Sequence, residues 1–506
     1  MKTGQIETSR SALTASCRAC GLPPLAYWSL PLLLAGVQYW VSSTSMHQIR
    51  YEELAESVRN VFWLSNRLVY DGISSNVGWY GTLLIVYKLF GFSLYSAKFV
   101  RLGLHLLGLL CAADILRRCM DVRMAIVPLL VIGLSPTLLY MNSLQTSYGT
   151  DLPYAAICLW LLLSVRPNSR SPLELGKTFL CGLVAMVAAM SYPTFLLYWP
   201  SLLLVSVWWI RRQAAAGSAV RWRIWQALSA IAGLAVPLVI ASAYLVTPSL
   251  LFLDPVTGSG LFRGGGHLGF NPAMIARSLF AVLTDLLRHG RTYYFEVTRP
   301  DFSGALAIPG LICVGLTTIY LWRKRKVDTP ILLAALLLLV VNLVVPNLST
   351  DEGAGIRRST GIVATYFTLF TLTWYFHRTA SSMIWLRRIA LFACLLVPID
   401  SALKLPSLLH DLASHSKWRD RDWFALASTP TKSLESLLDQ VDKGQALSCH
   451  DELRIIPCRY QEVYAAAAGY RLWNNRSTAD IRAFDSKTGR DIILTPSLWT
   501  SYYFRH

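Results

Sequence analysis

The chain has 506 residues, of which 54% are hydrophobic and 15% charged, with mean hydropathy +0.42 and a formal net charge of +18. A soluble domain carries roughly 25% charged residues, so this composition excludes an ordinary soluble globular protein. The apolar residues fall into runs long enough to cross a hydrocarbon core of about 30 Å, which takes about 20 residues.

The net charge does not indicate a nucleic-acid binder, because much of the excess Lys and Arg sits in short loops between apolar runs, as the positive-inside rule predicts. The N-terminal segment 1–24 carries Lys2, Arg10 and Arg18 and precedes a first apolar run, Leu25 to Val41. No small-residue cleavage site follows that run, so it reads as a first span rather than a signal peptide. Cys17 and Cys20 form a CxxC pair in this segment, but zinc needs about four ligands, and the motif is discounted.

The next segment, YEELAESVRNVFWLSN (Tyr51–Asn66), carries Glu52, Glu53 and Glu56. Beside Leu54, Ala55 and Val58 these carboxylates look helical. They suit either a solvated helix start, where the helix dipole favours negative charge, or a reactive site at the membrane surface. Val77 to Phe92 is apolar but short and holds Lys88, Gly78, Gly81 and Gly91. It is expected to lie at, or dip into, the outer face, because a crossing would put every later basic loop on the wrong side; a short true span is the alternative.

Basic loops then set the topology. The markers are Arg117/Arg118/Arg123, Arg166/Arg170/Lys177, Arg211/Arg212/Arg221/Arg223, Arg323 to Lys326, and Arg378/Arg387/Arg388. Placed inside, they predict spans near 95–116, 124–143, 152–165, 177–191, 195–210, 225–247, 304–322, 329–346, 359–376 and 385–403. With the first span this makes an all-α polytopic membrane protein of about eleven transmembrane helices. Its transmembrane domain covers 25–403, with outer loops 42–94 and 248–303. Residues 404–506 form an outer C-terminal domain, α/β or mixed, in which Cys449 and Cys458 either pair in an oxidising compartment or stay as two thiols.

Asp151 stands in an outward turn before Leu152-Pro153. It suits an N-cap before a first-turn proline or a functional acid. Arg357 and Arg358 lie outside, against the charge trend. An Arg fork matches phosphate, and the alternatives are headgroup anchoring or pairing with Asp351 and Glu352. In 248–303, FRGGGH (Phe262–His267) lacks the Gly-Lys-Ser/Thr of a P-loop. Asn271 and Pro272 open a helix with Ile275, Leu279, Val282 and Leu286 on one face, which reads as interfacial. His267 and His289 are lone histidines.

The order of features over 51–101 resembles the first outer loop of the GT-C superfamily of membrane glycosyltransferases, of the protein mannosyltransferase and lipid A aminoarabinose transferase type (glycosyltransferase family 39). An acidic pair opens a helix, and Lys88-Leu89-Phe90-Gly91 and Arg101-Leu102 follow. Two departures stand out: Glu52-Glu53 replaces Asp-Glu, and Gly78-Trp79-Tyr80 stands where prolines are usual. SPTLLYMNSLQTSYGTDLPYAA (Ser135–Ala156) and the Arg-rich turn DEGAGIRRST from Asp351 resemble later family elements.

The resemblance implies an inverting sugar transfer from a polyprenyl-phosphate donor to a glycolipid, polysaccharide or protein hydroxyl at the outer face. It implies Glu52 or Glu53 as base, Asp151 as a second acid that orients the acceptor or holds a divalent cation, and Arg357 and Arg358 on the lipid phosphate. Lys88, Arg101 and His267 are expected to bind substrate. No other cofactor is implied, and the partners are membrane lipids, the donor and the acceptor. With no retention signal in the sequence, the expected setting is a bacterial inner membrane with the site on the periplasmic face. A flippase, or a non-catalytic scaffold, is the competing class. Transport predicts ionisable residues near the midplane of spans, whereas Asp114 and Asp400 sit near span ends.

Overall fold

The computed structural model describes residues 24–46, 77–90, 96–119, 122–135, 149–166, 171–215, 219–244, 402–406, 481–485 and 490–494, with a few further positions elsewhere. Eight α-helices are described: α1 (Pro24–Met46), α2 (Val77–Phe90), α3 (Ser96–Cys119), α4 (Val122–Leu134), α5 (Asp151–Ser164), α6 (Pro172–Ser191), α7 (Trp199–Ala215) and α8 (Val220–Tyr244). A 3-10 turn, Pro193–Tyr198, joins α6 to α7. Two strands, β1 (Ile481–Asp485) and β2 (Arg490–Leu494), pair antiparallel with Ile481 opposite Leu494.

Apolar runs of this length become helices because only a helix satisfies every backbone group within one segment when no water is at hand. Three described helices are long and apolar enough to cross a membrane: Ser96–Arg118, Pro172–Ser191 and Val220–Ala241. The chain is an integral membrane protein. Local chemistry sets the ends. The Ser171 side chain accepts a bond from Leu173 N at 3.3 Å, and Pro172 follows at the first helical position, where its missing N–H costs nothing.

α5 is the centre of the packing. One side, Leu152, Ala156, Ile157 and Leu161, packs with α1, α3 and α4 through Tyr27, Leu34, Leu109, Leu116 and Leu129. The other side, Tyr154, Ala155 and Cys158, packs with Ala188 and Ala189 of α6 and with Phe195 and Tyr198 of the 3-10 turn. Cys111 and Cys158 are buried there, as small apolar residues would be.

Where helices touch most closely, glycine makes the contact. A Cβ on Gly182 of α6 would collide with the Ala230 carbonyl of α8, and one on Gly233 of α8 would collide with the Phe179 carbonyl of α6. Lipid tails supply no hydrophobic drive between helices, so close backbone approach through small residues is what holds them.

The bonds between helices define two ends. At one, the Tyr27 hydroxyl donates to Ala113 O at 2.8 Å, and the Arg117 guanidinium lies 5.2 Å from the Trp28 ring centroid. Asp114 accepts from Trp160 Nε1 at 2.8 Å and from Arg117 at 3.0 Å, and also pairs with Arg118. Arg166 N donates to Glu174 Oε2 at 2.8 Å, while Lys177 Nζ reaches Ser164 O and Glu174, each at 3.0 Å. This end gathers the start of α1, the ends of α3 and α5 and the start of α6, and it is the Arg- and Lys-rich end. At the opposite end Gln38 Nε2 donates to Leu139 O at 3.1 Å. There Gly78 of α2 also packs directly on the backbone of Val187 to Ser191.

Candidate functional site

The end away from the Arg-rich loops holds a cluster of buried polar side chains. Lys98, Arg101 and His105 follow one another on α3 at spacings of three and four, which puts them on one face. Arg101 is 1% exposed, His105 3% and Lys98 4%. Long cations are almost never this buried unless something engages them. The Arg101 guanidinium lies 5.5 Å from the Trp79 ring centroid, so α2 covers α3 at this point with an aromatic face that favours the charge.

His105 is held by Asn142, whose Nδ2 is 2.9 Å from His105 Nδ1. With the amide donating, the neutral ring carries its proton on Nε2. That nitrogen is buried and has no hydrogen-bond partner among the described residues.

Asp151 joins this group from α5 and is 3% exposed. Gly149 has φ 76°, in the left-handed region that glycine enters without penalty, and it turns the chain into the helix. Of the two readings of Asp151, a cap or a functional acid, the cap is set aside by the structure. Asp151 is the first helical residue, Thr150 occupies the cap position, and no side chain makes a capping bond. The Thr150 hydroxyl donates back to Ser147 O at 2.9 Å. The carboxylate is thus inside the protein rather than on the turn.

One close contact sets its height. A Cβ on Gly108 of α3 would lie 2.8 Å from Pro153 Cα of α5. The two helices run parallel, since Trp160 also meets Asp114 further along. At about 1.5 Å of rise per residue, Asp151 falls level with His105, roughly one turn from Arg101.

The third wall comes from α6 and the 3-10 turn. The Tyr154 hydroxyl hydrogen-bonds Ser191 and lies within electrostatic reach of Arg101. Tyr198 stacks on Phe195, with centroids 5.8 Å apart and planes 16° from parallel, and lies within electrostatic reach of Asp151. Below the polar cluster a cavity of about 30 Å³ opens between α3, α4 and α5. Its walls include His105, Gly108, Leu109, Asn142, Pro153 and Ala156, and they are almost wholly apolar. Two buried cations, a carboxylate, an imidazole and two phenols are groups that suit an anionic, hydroxyl-rich head.

Of the site residues expected from the sequence, Arg101 and Asp151 come together in this cluster. Lys88 does not join it and stands exposed in the last turn of α2 beside exposed Leu89 and Phe90. Glu52, Glu53, His267, Arg357 and Arg358 lie outside the described residues, as do Glu56, His289, Asp400, Cys449 and Cys458. Lys98, His105, Asn142 and Tyr198 carry no motif that singles them out in the sequence. The signal for the first two was present, because ionisable residues within an apolar run mark a site by default. Among the described residues no three His, Cys, Asp or Glu side chains gather into a metal-binding group.

No protein-family model and no curated protein matches the chain. A search of solved structures finds a likeness to the crystal structure of ArnT from Cupriavidus metallidurans bound to undecaprenyl phosphate. The TM-score is 0.46 and the identity 14%, over 89% of this chain and 89% of that one.

Proposed function

We propose that this chain is an inverting membrane glycosyltransferase. It moves a sugar from a polyprenyl-phosphate donor to a hydroxyl of a glycolipid, polysaccharide or protein at the outer face of a bacterial inner membrane. The observation that supports this most directly is the joint burial of Lys98, Arg101 and Asp151 at the end away from the Arg-rich loops. Burying an ion costs several kcal/mol even after relaxation, and charges placed within membrane spans are characteristically functional. A lipid phosphate would suit the two cations.

In this reading Glu52 or Glu53 removes the acceptor proton. A carboxylate near a low-dielectric boundary suits that task, because desolvation brings its pKa toward working pH. Arg357 and Arg358 neutralise the leaving phosphate together with Arg101, His267 flanks the substrate, and Asp151 holds a substrate hydroxyl.

The test is transfer from a panel of undecaprenyl-phosphate sugars in membranes. Wild type is compared with Glu52→Gln, Glu53→Gln and the double variant at matched expression. Loss of general-base catalysis costs roughly 10²- to 10⁴-fold, so one Gln variant should lose transfer on that scale. No transfer by wild type from any donor, or no difference between variants, sinks the reading.

One observation favours a second reading, a transporter of lipid-linked sugars. His105 stands near the middle of the 24-residue α3 and lines an internal cavity, where a transport residue would be placed. That reading predicts movement of intact lipid-linked sugar across vesicles without any transfer product.

A further inference from the structure

The proposed function leaves one well-placed group unused. Tyr198 is 2% exposed and ends the 3-10 turn that lies across the first turn of α5. Its ring is fixed on both sides, by the stack on Phe195 and by packing with Tyr154, Ala155 and Ala188. Its hydroxyl is buried and has no hydrogen-bond partner among the described residues. The neighbouring Trp199 Nε1 is in the same condition. A buried hydroxyl without a partner costs about 1–3 kcal/mol, and rigid aromatic rings usually place such a group where a partner arrives. Tyr198 packs with Tyr154 and Ala155 of α5, the helix that Asp151 opens.

We propose that Tyr198 is a substrate-positioning residue whose phenol, with the Asp151 carboxylate, grips one hydroxyl of the sugar carried on the lipid phosphate. The chemistry is complementary. A sugar hydroxyl donates its proton to a carboxylate and accepts on its oxygen from a phenol, so the pair fits an uncharged O–H. Lys98 and Arg101 at the same end take the phosphate, and the sugar attached to it extends toward Asp151 and Tyr198. The inference rests on the glycosyltransferase reading above and names the residues that distinguish a sugar-bearing lipid from a bare one.

The experiment uses the full chain in nanodiscs with two probes. One is undecaprenyl phosphate, and the other is the panel of undecaprenyl-phosphate sugars. Tyr198→Phe removes one oxygen and keeps the stack, so the fold is retained. A neutral hydrogen bond is worth about five- to tenfold in affinity. Tyr198→Phe is expected to bind the wild type's best sugar-bearing lipid about five- to tenfold more weakly and bare undecaprenyl phosphate unchanged. Its KM for the sugar-bearing donor should rise by the same factor. Equal weakening of both probes would mean a scaffolding role and overturn the proposal. No weakening of either overturns it too, while transfer by wild type keeps the glycosyltransferase reading standing. If wild type binds no sugar-bearing lipid better than the bare one and transfers nothing, the inference and the reading beneath it fall together.

Discussion

The guanidinium of Arg101 on α3 lies over the indole of Trp79 on α2, 5.5 Å from its centroid, and both side chains are fully enclosed. A desolvated cation–π contact is worth about 2 kcal/mol, and it fixes the charge where α2, α3 and α5 meet. Arg101→Gln is expected to weaken binding of undecaprenyl phosphate at least tenfold, because a charge-assisted contact to phosphate is lost. Trp79→Phe keeps a ring face and should weaken it less than threefold. Titration of the nanodisc-held protein with undecaprenyl phosphate checks both. Equal affinity in Arg101→Gln and wild type would remove this cation from the site.

Asp114 is a junction of a different kind. It receives Trp160 Nε1 at 2.8 Å and the Arg117 guanidinium at 3.0 Å, and it pairs with Arg118. The two arginines are more than a third exposed, so the ion pairs contribute little and the part-buried indole bond dominates. Asp114→Asn and Trp160→Phe should each destabilise by about 1–2 kcal/mol. Their combined effect should fall short of the sum, since both remove one bond. Thermal unfolding followed by size-exclusion chromatography reads this out. Donor binding should be unchanged, because Asp114 sits at the far end of α3 from Arg101.

Much of this layout was legible in the sequence. The run 95–116 emerges as Ser96–Cys119, 152–165 as Asp151–Ser164, and 225–247 as Val220–Tyr244. Hydrocarbon thickness sets the length of such runs and arginine sets their ends, and both are local properties. The site was less legible. Arg101 and Asp151 could be named from motif order, but their meeting depends on Gly108 letting α5 approach α3, a fact about two distant segments. Asn142 and Tyr198 look like ordinary helix and linker residues until rotation of the helices turns one onto His105 and the other toward Asp151. Asp151 itself shows how a local rule misleads. A carboxylate before a proline-containing first turn suggests a cap, yet here the helix starts one residue earlier and takes the carboxylate inside.

The glycines divide by what faces them. Gly182 and Gly233 meet backbone across the α6–α8 contact, whereas nothing lies within 4 Å of a Cβ on Gly36, Gly103 or Gly176. Gly182→Ala and Gly233→Ala must force two backbones apart, and each is expected to cost about 1–3 kcal/mol, the usual penalty of overpacking. Gly36→Ala, Gly103→Ala and Gly176→Ala should be neutral or stabilising by up to about 1 kcal/mol, because alanine is the better helix former. The apparent melting temperatures of the five variants should therefore split into two groups. A uniform response would mean that α6 and α8 do not pack through these positions.

Sidedness is the last test, and α2 decides it. Gly78 packs on the end of α6 that carries Ser191, and Trp79 meets Arg101 near the start of α3. Only residues 91–95 join the end of α2 to α3, and five residues reach at most about 18 Å. Such a short link favours a 14-residue helix that begins and ends on the same side, which keeps Arg117, Arg166 and Arg221 all inside. Fusions of alkaline phosphatase, active only outside, and green fluorescent protein, bright only inside, are placed after Ser96, Arg118, Thr150, Arg166, Arg211 and Tyr244. The expected pattern is phosphatase activity at Ser96, Thr150 and Tyr244 and fluorescence at Arg118, Arg166 and Arg211. If every fusion reports the opposite side, Val77–Phe90 crosses the membrane. The cluster of Lys98, Arg101 and Asp151 would then face the cytoplasm, where the proposed donor does not present its sugar.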